Sequence, residues 1–389
     1  MTCSITGPYH PGFGVDPPVL AGRDSQLAAV LGALRAGPQA PGFCQAILGD
    51  RGFGKTVLLN EIERRVTAEL GWPVLSHQST PDGDLVESLV HKLPDAATRA
   101  WSRTGRFLRD LDKELTVTAN FGVLRADAKL TTSRSARSIP ADRLERLLRT
   151  AGEFARRRHS GLLITVDEAH VLSRLPDLAA LAAAMQTVVR RSRLPVAVIL
   201  AGLPELRGRF HGVGTFLERI DTLDVGHLSA DATRYALIQP AADAGVAFDM
   251  DALDLLVDAS EGYPYLVQLL GHETWTAAGG APRIVLEHAR AGVVAAEARM
   301  EDLFRARWDQ LSDLEQRYMA AVARLGPAPA SVASVAKALR RSTAQLSSTR
   351  AALIGEHRLL TSPRYGEIQV SLTGFNQWLT AHGPEPDAD

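Results

Sequence analysis

The sequence predicts an α/β fold: a parallel sheet covered by helices, followed by an all-helical segment and a small α+β module. Three observations carry this expectation. Between Cys44 and Val225, short apolar runs alternate with stretches whose apolar residues recur at helical spacing, the pattern of strands joined by crossover helices. The run Gly49-Asp50-Arg51-Gly52-Phe53-Gly54-Lys55-Thr56 lies between one such strand and one such helix and fits G-x-x-x-x-G-K-[ST]. After Leu228 the strand pattern stops, and helices alone continue to about Leu311.

At 389 residues the chain suits two or three domains. A hydrophobic content of 46% supports real cores, and 43 basic against 44 acidic side chains leave a net charge of −1. No global basic field advertises nucleic acid, so any such contact must come from a local patch. Two cysteines, Cys3 and Cys44, are too few for a disulfide framework or a metal site. No apolar run approaches the roughly 18 residues that span a membrane, and the first residues lack a basic-then-apolar leader pattern. The expectation is a cytoplasmic protein with no membrane contact.

In chain order, residues 1–19 are rich in Pro and Gly, without period, and read as an extended arm. A helix begins at Leu20-Ala21-Gly22-Arg23-Asp24, with Asp24 as N-cap and Leu27, Val30, Leu31 and Leu34 as its stripe. Cys44 to Leu48 reads as the first buried strand, Val57 to Val66 as a helix, Trp72 to Ser76 as a strand and Leu85 to Leu93 as a helix. Alternating residues between Leu115 and Leu130 suggest an inserted β-hairpin, either a plain edge addition or a protrusion toward a partner. Leu144 to Arg157 and Leu178 to Val189 read as helices. Leu162 to Val166 and Val196 to Ala201 are continuous apolar runs of the sort buried on both faces of a parallel sheet. Thr222 to Val225 is a candidate fifth strand.

The glycine-rich loop carries the chemistry. A loop that wraps phosphate needs backbone shapes closed to residues with side chains, and its N–H groups and the following helix dipole then face the anion. Gly49 to Thr56 and Val57 are the candidate nucleotide contacts. Lys55 supplies a cation for the β- and γ-phosphates, and the Thr56 hydroxyl a ligand for Mg²⁺. The chain holds only five lysines, so one at this position is informative. The strand Leu162 to Val166 ends in Asp167-Glu168-Ala169-His170, and Asp167 falls 112 positions after Lys55. Asp167 is a candidate Mg²⁺ partner and Glu168 a candidate general base for the attacking water. The expected cofactors are ATP or ADP with Mg²⁺, and the expected activity is ATP hydrolysis.

On these residues the segment from Gly22 to Ala278 resembles the AAA+ ATPases, with their initiator-type branch (origin-recognition and archaeal relatives) nearest. The Gly22-Arg23-Asp24 lead-in, the loop, the Asp167-Glu168 strand and the Val198 to Pro204 strand carry the resemblance. The helical segment with Glu261-Gly262-Tyr263-Pro264 completes it. The resemblance implies nucleotide contacts from Arg23 and Pro264. It also implies that Arg219 is an arginine finger offered to a neighbouring subunit, hence a homo-oligomer or an AAA+ partner. Ala201-Gly202 stands where such proteins carry a polar γ-phosphate sensor, and Gly262-Tyr263-Pro264 replaces the usual lid arginine. That replacement resembles the signal-transduction NTPases. Asp-Glu-Ala-His also spells a helicase signature, but no second α/β motor follows.

From Leu311 the order is three helices (Asp313 to Arg324, Ser331 to Arg340, Ser342 to His357), then extended runs Leu359 to Ser362 and Glu367 to Ser371, as in a winged helix-turn-helix. Val335, Leu339, Leu346, Ala351, Leu353 and Ile354 are its expected core. Arg341, Thr343, Gln345, Ser348, Arg350 and Arg364 are its candidate contacts to double-stranded DNA. The organisation is thus an arm (1–19), an α/β nucleotide-binding domain (20–228), a helical lid with its connecting helix (229–310), a winged helix domain (311–382) and an acidic tail (383–389). Two functions fit: an ATPase that couples nucleotide state to assembly and DNA association, and a switch that holds nucleotide and docks a protein through its last domain.

Overall fold

The computed structural model describes residues 7–12, 14–80, 83–101, 135–172 and 175–384. The expected hairpin at 115–130 lies outside the described residues. The chain forms two compact units: one comprises Arg23–Leu48 and Leu58–Asp224, the other Met1–Gly22, Gly49–Val57 and Val225–Asp389.

The first unit is built on five parallel strands, β1 (Gln45–Leu48), β2 (Val74–Gln78), β3 (Leu162–Asp167), β4 (Val196–Gly202) and β5 (Asp221–Asp224), in the order β2-β3-β4-β1-β5. The apolar runs that predict β3 and β4 are buried along their whole length, as central strands covered on both faces must be. β5 is a mostly exposed edge. Helix α1 (Asp24–Ala36) buries Leu27, Val30, Leu31 and Leu34 as its spacing dictates. Its cap residue is Arg23, and Asp24 opens the first turn without a side-chain cap bond, which corrects the expectation for Asp24.

Helix α2 (Lys55–Arg65) widens into a π segment (Val66–Leu70) that stops at left-handed Gly71. The polar Thr165 in the middle of β3 is satisfied by α2: its hydroxyl donates to Glu63 at 2.5 Å, and Ser76 of β2 donates to the other carboxylate oxygen at 2.7 Å. Helices α3 (Leu85–Trp101), α4 (Ser135–Arg157) and α5 (Leu175–Met185) complete the crossovers. Buried Asp177 of α5 accepts from the Leu85 amide at 3.1 Å and so caps α3. Because every strand is parallel, β1 and β3 end on the same sheet edge, where ligands of open α/β sheets bind.

The second unit begins with the N-terminal arm, which is not a free extension. Tyr9 is 2% exposed, its hydroxyl donates to the Leu237 carbonyl at 2.5 Å, and its ring meets Trp275 edge-on at 6.3 Å. A Cβ on Gly271 would stand 2.5 Å from that ring, so the glycine makes room for the arm. Four helices follow: α6 (Ala230–Asp243), α7 (Met250–Ser260), α8 (Pro264–Ala278) and α9 (Leu286–Trp308). Ser229 caps α6 by accepting from the Ala232 amide. A two-stranded parallel pair, β6 (Ala247–Phe248) with β7 (Arg283–Ile284), was not legible in the sequence.

The last segment contains α10 (Asp313–Arg324), β8 (Ala330–Ser331), α11 (Val332–Ala338), α12 (Ser347–Gly355), β9 (Leu360–Thr361), β10 (Glu367–Val370) and α13 (Phe375–His382). Its sheet is antiparallel in the order β8-β10-β9. Tyr318, Met319, Val335, Leu346, Leu353, Ile368 and Phe375 form its core together with Phe304 of α9. Ala351, expected in that core, is exposed. α12 starts five residues later than expected, because Ser342 and Gln345 close a turn on each other. The Ser342 amide donates to the Gln345 side-chain oxygen at 2.8 Å, and the Gln345 amide donates to the Ser342 hydroxyl at 3.2 Å.

Candidate nucleotide-binding site

The loop leaves β1 after Leu48 and enters α2 at Lys55. Gly52 and Gly54 take φ of +78° and +80°, the left-handed region that favours glycine. A Cβ on Gly54 would meet nothing within 4 Å, whereas one on Gly52 would stand 2.1 Å from the Tyr263 hydroxyl. One face of the loop is therefore open, and the other is closed by an aromatic side chain. Lys55 is buried, and its Nζ donates to the Asp50 carbonyl at 2.8 Å, which holds the ammonium over the loop. Burial pushes the Asp50 carboxyl up, opposed by the charges of Lys55 and His227. Arg51 and Thr56 are half-buried, and Val57 is half-buried in the first turn of α2.

The closing side chain comes from the Glu261-Gly262-Tyr263-Pro264 turn. Glu261 (φ +47°) and Gly262 (φ +71°) are both left-handed, and a Cβ on Gly262 would lie 2.3 Å from the Leu228 carbonyl. The Leu228 amide donates to the Gly262 carbonyl at 2.8 Å, which locks the turn. Pro264 then opens α8 at its first turn, where a missing N–H costs nothing. This geometry delivers the Tyr263 hydroxyl to the Arg51 carbonyl, to which it donates at 3.2 Å. Phe53 packs edge-on between Tyr263 (5.7 Å) and His227 (4.9 Å). Nothing in the spacing singles out Tyr263 or His227, although the Gly-Tyr-Pro motif that aims Tyr263 is visible.

In the sheet unit, Asp167 ends β3 with only 6% exposure, and its Oδ1 accepts from the Glu168 amide at 2.8 Å. Glu168 follows at φ +52°, a left-handed conformation that costs a non-glycine residue about 1–2 kcal/mol. The next residues form a single 3₁₀ turn, Ala169–Val171. Arg209 clamps that turn by donating to the carbonyls of His170 (2.6 Å) and Leu172 (2.7 Å). His170 is half-buried, its imidazole 7% exposed, with Nε2 3.4 Å from Glu168 Oε2.

Arg23 is 5% exposed at the cap of α1, and burial lowers its pKa. Arg219 ends the single-turn helix Thr215–Glu218 and is exposed. Among the described residues, no group of three or more His, Cys, Asp or Glu could hold a metal unaided. The donor set still fits Mg²⁺, which takes one or two protein oxygens and completes its shell with phosphate and water.

The candidate DNA residues divide. Arg341, Ser348 and Arg364 are exposed, and Tyr365 beside Arg364 is fully exposed. Thr343 and Gln345 lie in the turn before α12 and not on it, and Gln345 spends its side-chain oxygen on Ser342. Arg350 is half-buried, and its charge acts on the Tyr318 hydroxyl, partly offsetting the upward push of burial.

Residues 19–199 match the family model of the AAA ATPase domain, and residues 301–379 match a domain family of unknown function. A Walker-type ATPase of Pyrococcus abyssi superposes with a TM-score of 0.53 at 15% identity, covering 92% of this chain and 96% of that one. The fold is the P-loop AAA+ fold, a five-stranded parallel sheet with helices. Two other similar structures are the Aeropyrum pernix Orc1 protein in complex with DNA and the Thermotoga maritima RuvB Holliday junction branch migration motor. The first has a TM-score of 0.46, 17% identity and coverage of 94% of both chains. The second has a TM-score of 0.47, 12% identity and coverage of 94% of this chain and 96% of that one. No curated protein matches the chain. Among the described residues of this AAA+ fold, no helix is long and apolar enough to cross a membrane.

Proposed function

We propose that the protein binds ATP with Mg²⁺ on the Gly49–Thr56 loop and hydrolyses it with Glu168 as general base. The single observation that carries this reading is the end of β3. There a buried Asp167 and a left-handed Glu168 sit on the same edge of one parallel sheet from which the glycine loop departs. Lys55 and the loop amides would neutralise the β- and γ-phosphates. Thr56 and Asp167 would hold Mg²⁺, which supplies charge neutralisation across the phosphate oxygens. Glu168 would orient a water and take its proton as the water oxygen bonds to the γ-phosphorus and the bridging bond to ADP breaks. Glu168→Gln should abolish steady turnover while ATP is still bound. Undiminished turnover by that variant, or no uptake of ATP or ADP by the wild type in calorimetry, overturns the reading.

Coupling to assembly and to DNA is the finer part of the proposal. An exposed Arg219 supports an offered cation for a second subunit's nucleotide, and Arg219→Ala should then lower turnover only at concentrations where the wild type associates. The order α10-β8-α11-α12-β9-β10 supports a winged helix, and of its candidate contacts Arg341, Thr343, Gln345, Ser348 and Arg364 are exposed. Alanine at Arg341 and Arg364 should weaken duplex binding and reduce the salt slope by about one for each phosphate no longer neutralised.

A second reading is favoured by Tyr263. Its hydroxyl touches the Arg51 carbonyl, and a hydrogen bond with Thr373 of the C-terminal segment acts on the same group. A protein that holds nucleotide as a switch would use such a bridge to report the loop's state. Tightly retained ADP on purification, with no steady turnover, would favour this switch over the ATPase.

A further inference from the structure

We propose that His170 is a positioning residue for the Glu168 carboxylate, the proton donor that keeps the general base in its working orientation. The inference rests on the reading of Glu168 as that base. Four observations within the sheet unit support it. The Leu203 amide at the end of β4 donates to His170 Nδ1 at 3.4 Å. An amide can only donate, so Nδ1 is the acceptor and the neutral ring carries its proton on Nε2. That Nε2 is buried and lies 3.4 Å from Glu168 Oε2, close to the carboxylate but not aligned into a hydrogen bond with it. The imidazole is 7% exposed and the carboxylate 28%, so the pair joins a buried donor to a base that still reaches solvent.

The backbone that carries the ring is held. Arg209 holds the carbonyls of His170 and Leu172, which fixes the 3₁₀ turn, and the Val171 amide closes the turn on the Glu168 carbonyl at 2.8 Å. Gly202, the last residue of β4, adjoins the ring: a Cβ there would stand 2.9 Å from Leu206 Cδ2, 3.3 Å from the His170 backbone nitrogen and 3.4 Å from Nδ1. Where β4 ends without a side chain, the imidazole occupies the strand end. At 3.4 Å and without alignment, the contact is a proximity and not a formed hydrogen bond, so a small rotation of the Glu168 carboxylate is needed to close it. Catalytic contacts are often loose before substrate is bound and tighten in the complex. A carboxylate on a left-handed residue that is partly open to solvent has several rotamers available. A fixed N–H on one oxygen leaves the other directed at water.

The test compares His170→Phe, which keeps the ring's bulk, with His170→Gln, which keeps an N–H donor. We expect His170→Phe to lower kcat on the order of tenfold to a hundredfold, the range seen when a catalytic group loses its outer partner or shifts by about an ångström. KM and the affinity for a fluorescent ADP analogue should stay at the wild-type value, and His170→Gln should recover most of the rate. In a Glu168→Gln background, His170→Phe should cause no further loss. A readout without nucleotide is the ¹⁵N spectrum of histidine-labelled protein: His170 should be the Nε2–H tautomer, with its signals moved by Glu168→Gln. Wild-type turnover by His170→Phe, its full loss persisting beside Glu168→Gln, or an Nδ1–H tautomer would each overturn the proposal. If the wild type does not turn over ATP at all, the ATPase reading fails, and the tautomer with its response to Glu168→Gln still decides the pairing.

Discussion

The Tyr263 hydroxyl donates to the Arg51 carbonyl at 3.2 Å, so a side chain of the Glu261–Pro264 turn is bonded to the backbone of the glycine loop. Desolvation pushes the Tyr263 phenol up to about 12, and the neighbouring Tyr265 adds to the shift. The group is therefore a neutral donor throughout the working pH range. Tyr263→Phe keeps the packing against Phe53 and removes only this donor. It should cost about 0.5–1.5 kcal/mol, seen as a fall of a few degrees in the melting midpoint. An unchanged midpoint would mean that the hydroxyl exchanges freely with water.

Gly52 faces the same tyrosine and is constrained twice. Alanine there would place a methyl 2.1 Å from the hydroxyl, at a φ of +78°. Gly52→Ala should therefore weaken nucleotide binding and lower the melting midpoint. Adding Tyr263→Ala relieves the collision but leaves the backbone strain, worth about 1–2 kcal/mol. The paired variant should recover more binding than the two separate losses, added together, would allow. Strictly additive losses in a double-mutant cycle would show that the collision is avoided by movement of the loop.

Asp50 predicts a pH dependence. Burial raises its pKa, and Lys55 and His227 only partly oppose that shift. A carboxyl whose folded pKa lies above its unfolded value favours the fold while protonated, and that contribution is lost as pH rises through the folded pKa. Asp50→Asn removes the buried charge. Its stability relative to wild type should therefore improve as pH is raised from below the ordinary carboxylate range to neutrality. Urea midpoints of both proteins across that range give the answer, and a difference that is flat or reversed with pH would refute it.

Arg209 predicts a link between a clamp and chemistry. It donates to two carbonyls of the turn that carries His170, at 2.6 and 2.7 Å. Arg209→Ala should lower stability by about 1–3 kcal/mol, since bonds from a charged donor are the stronger kind and the side chain is half-exposed. It should also lower turnover in proportion to the freedom given to Glu168. Arg209→Lys, which cannot span both carbonyls, should fall between the two.

The residues legible in the sequence are those whose signals are local. β3 and β4 are continuous apolar runs because both their faces are covered, and the glycine loop must have its spacing to take its shape. α1 shows its stripe at Leu27, Val30, Leu31 and Leu34 because only one of its faces is buried. What escapes a sequence reading depends on contacts distant in the chain. Tyr9 lies in an arm without period, yet its hydroxyl bonds 228 positions away. Spacing misplaces the start of α12 because Ser342 and Gln345 compete for the backbone as a turn, and periodicity does not register that competition. Arg350 reads as an outward residue by spacing, but Tyr318 on α10 draws its charge inward. His170 is visible only as a letter in Asp-Glu-Ala-His, since the Leu203 amide that orients it belongs to the end of another strand.

The buried Tyr9 bears on how the protein can be cut. The match to the AAA ATPase domain begins at residue 19, ten positions beyond this ring. A fragment trimmed to that boundary would lose the plug that fills the space beside Gly271 and Trp275. It would expose the apolar seam of the lid and invite aggregation unrelated to any self-association the intact chain performs.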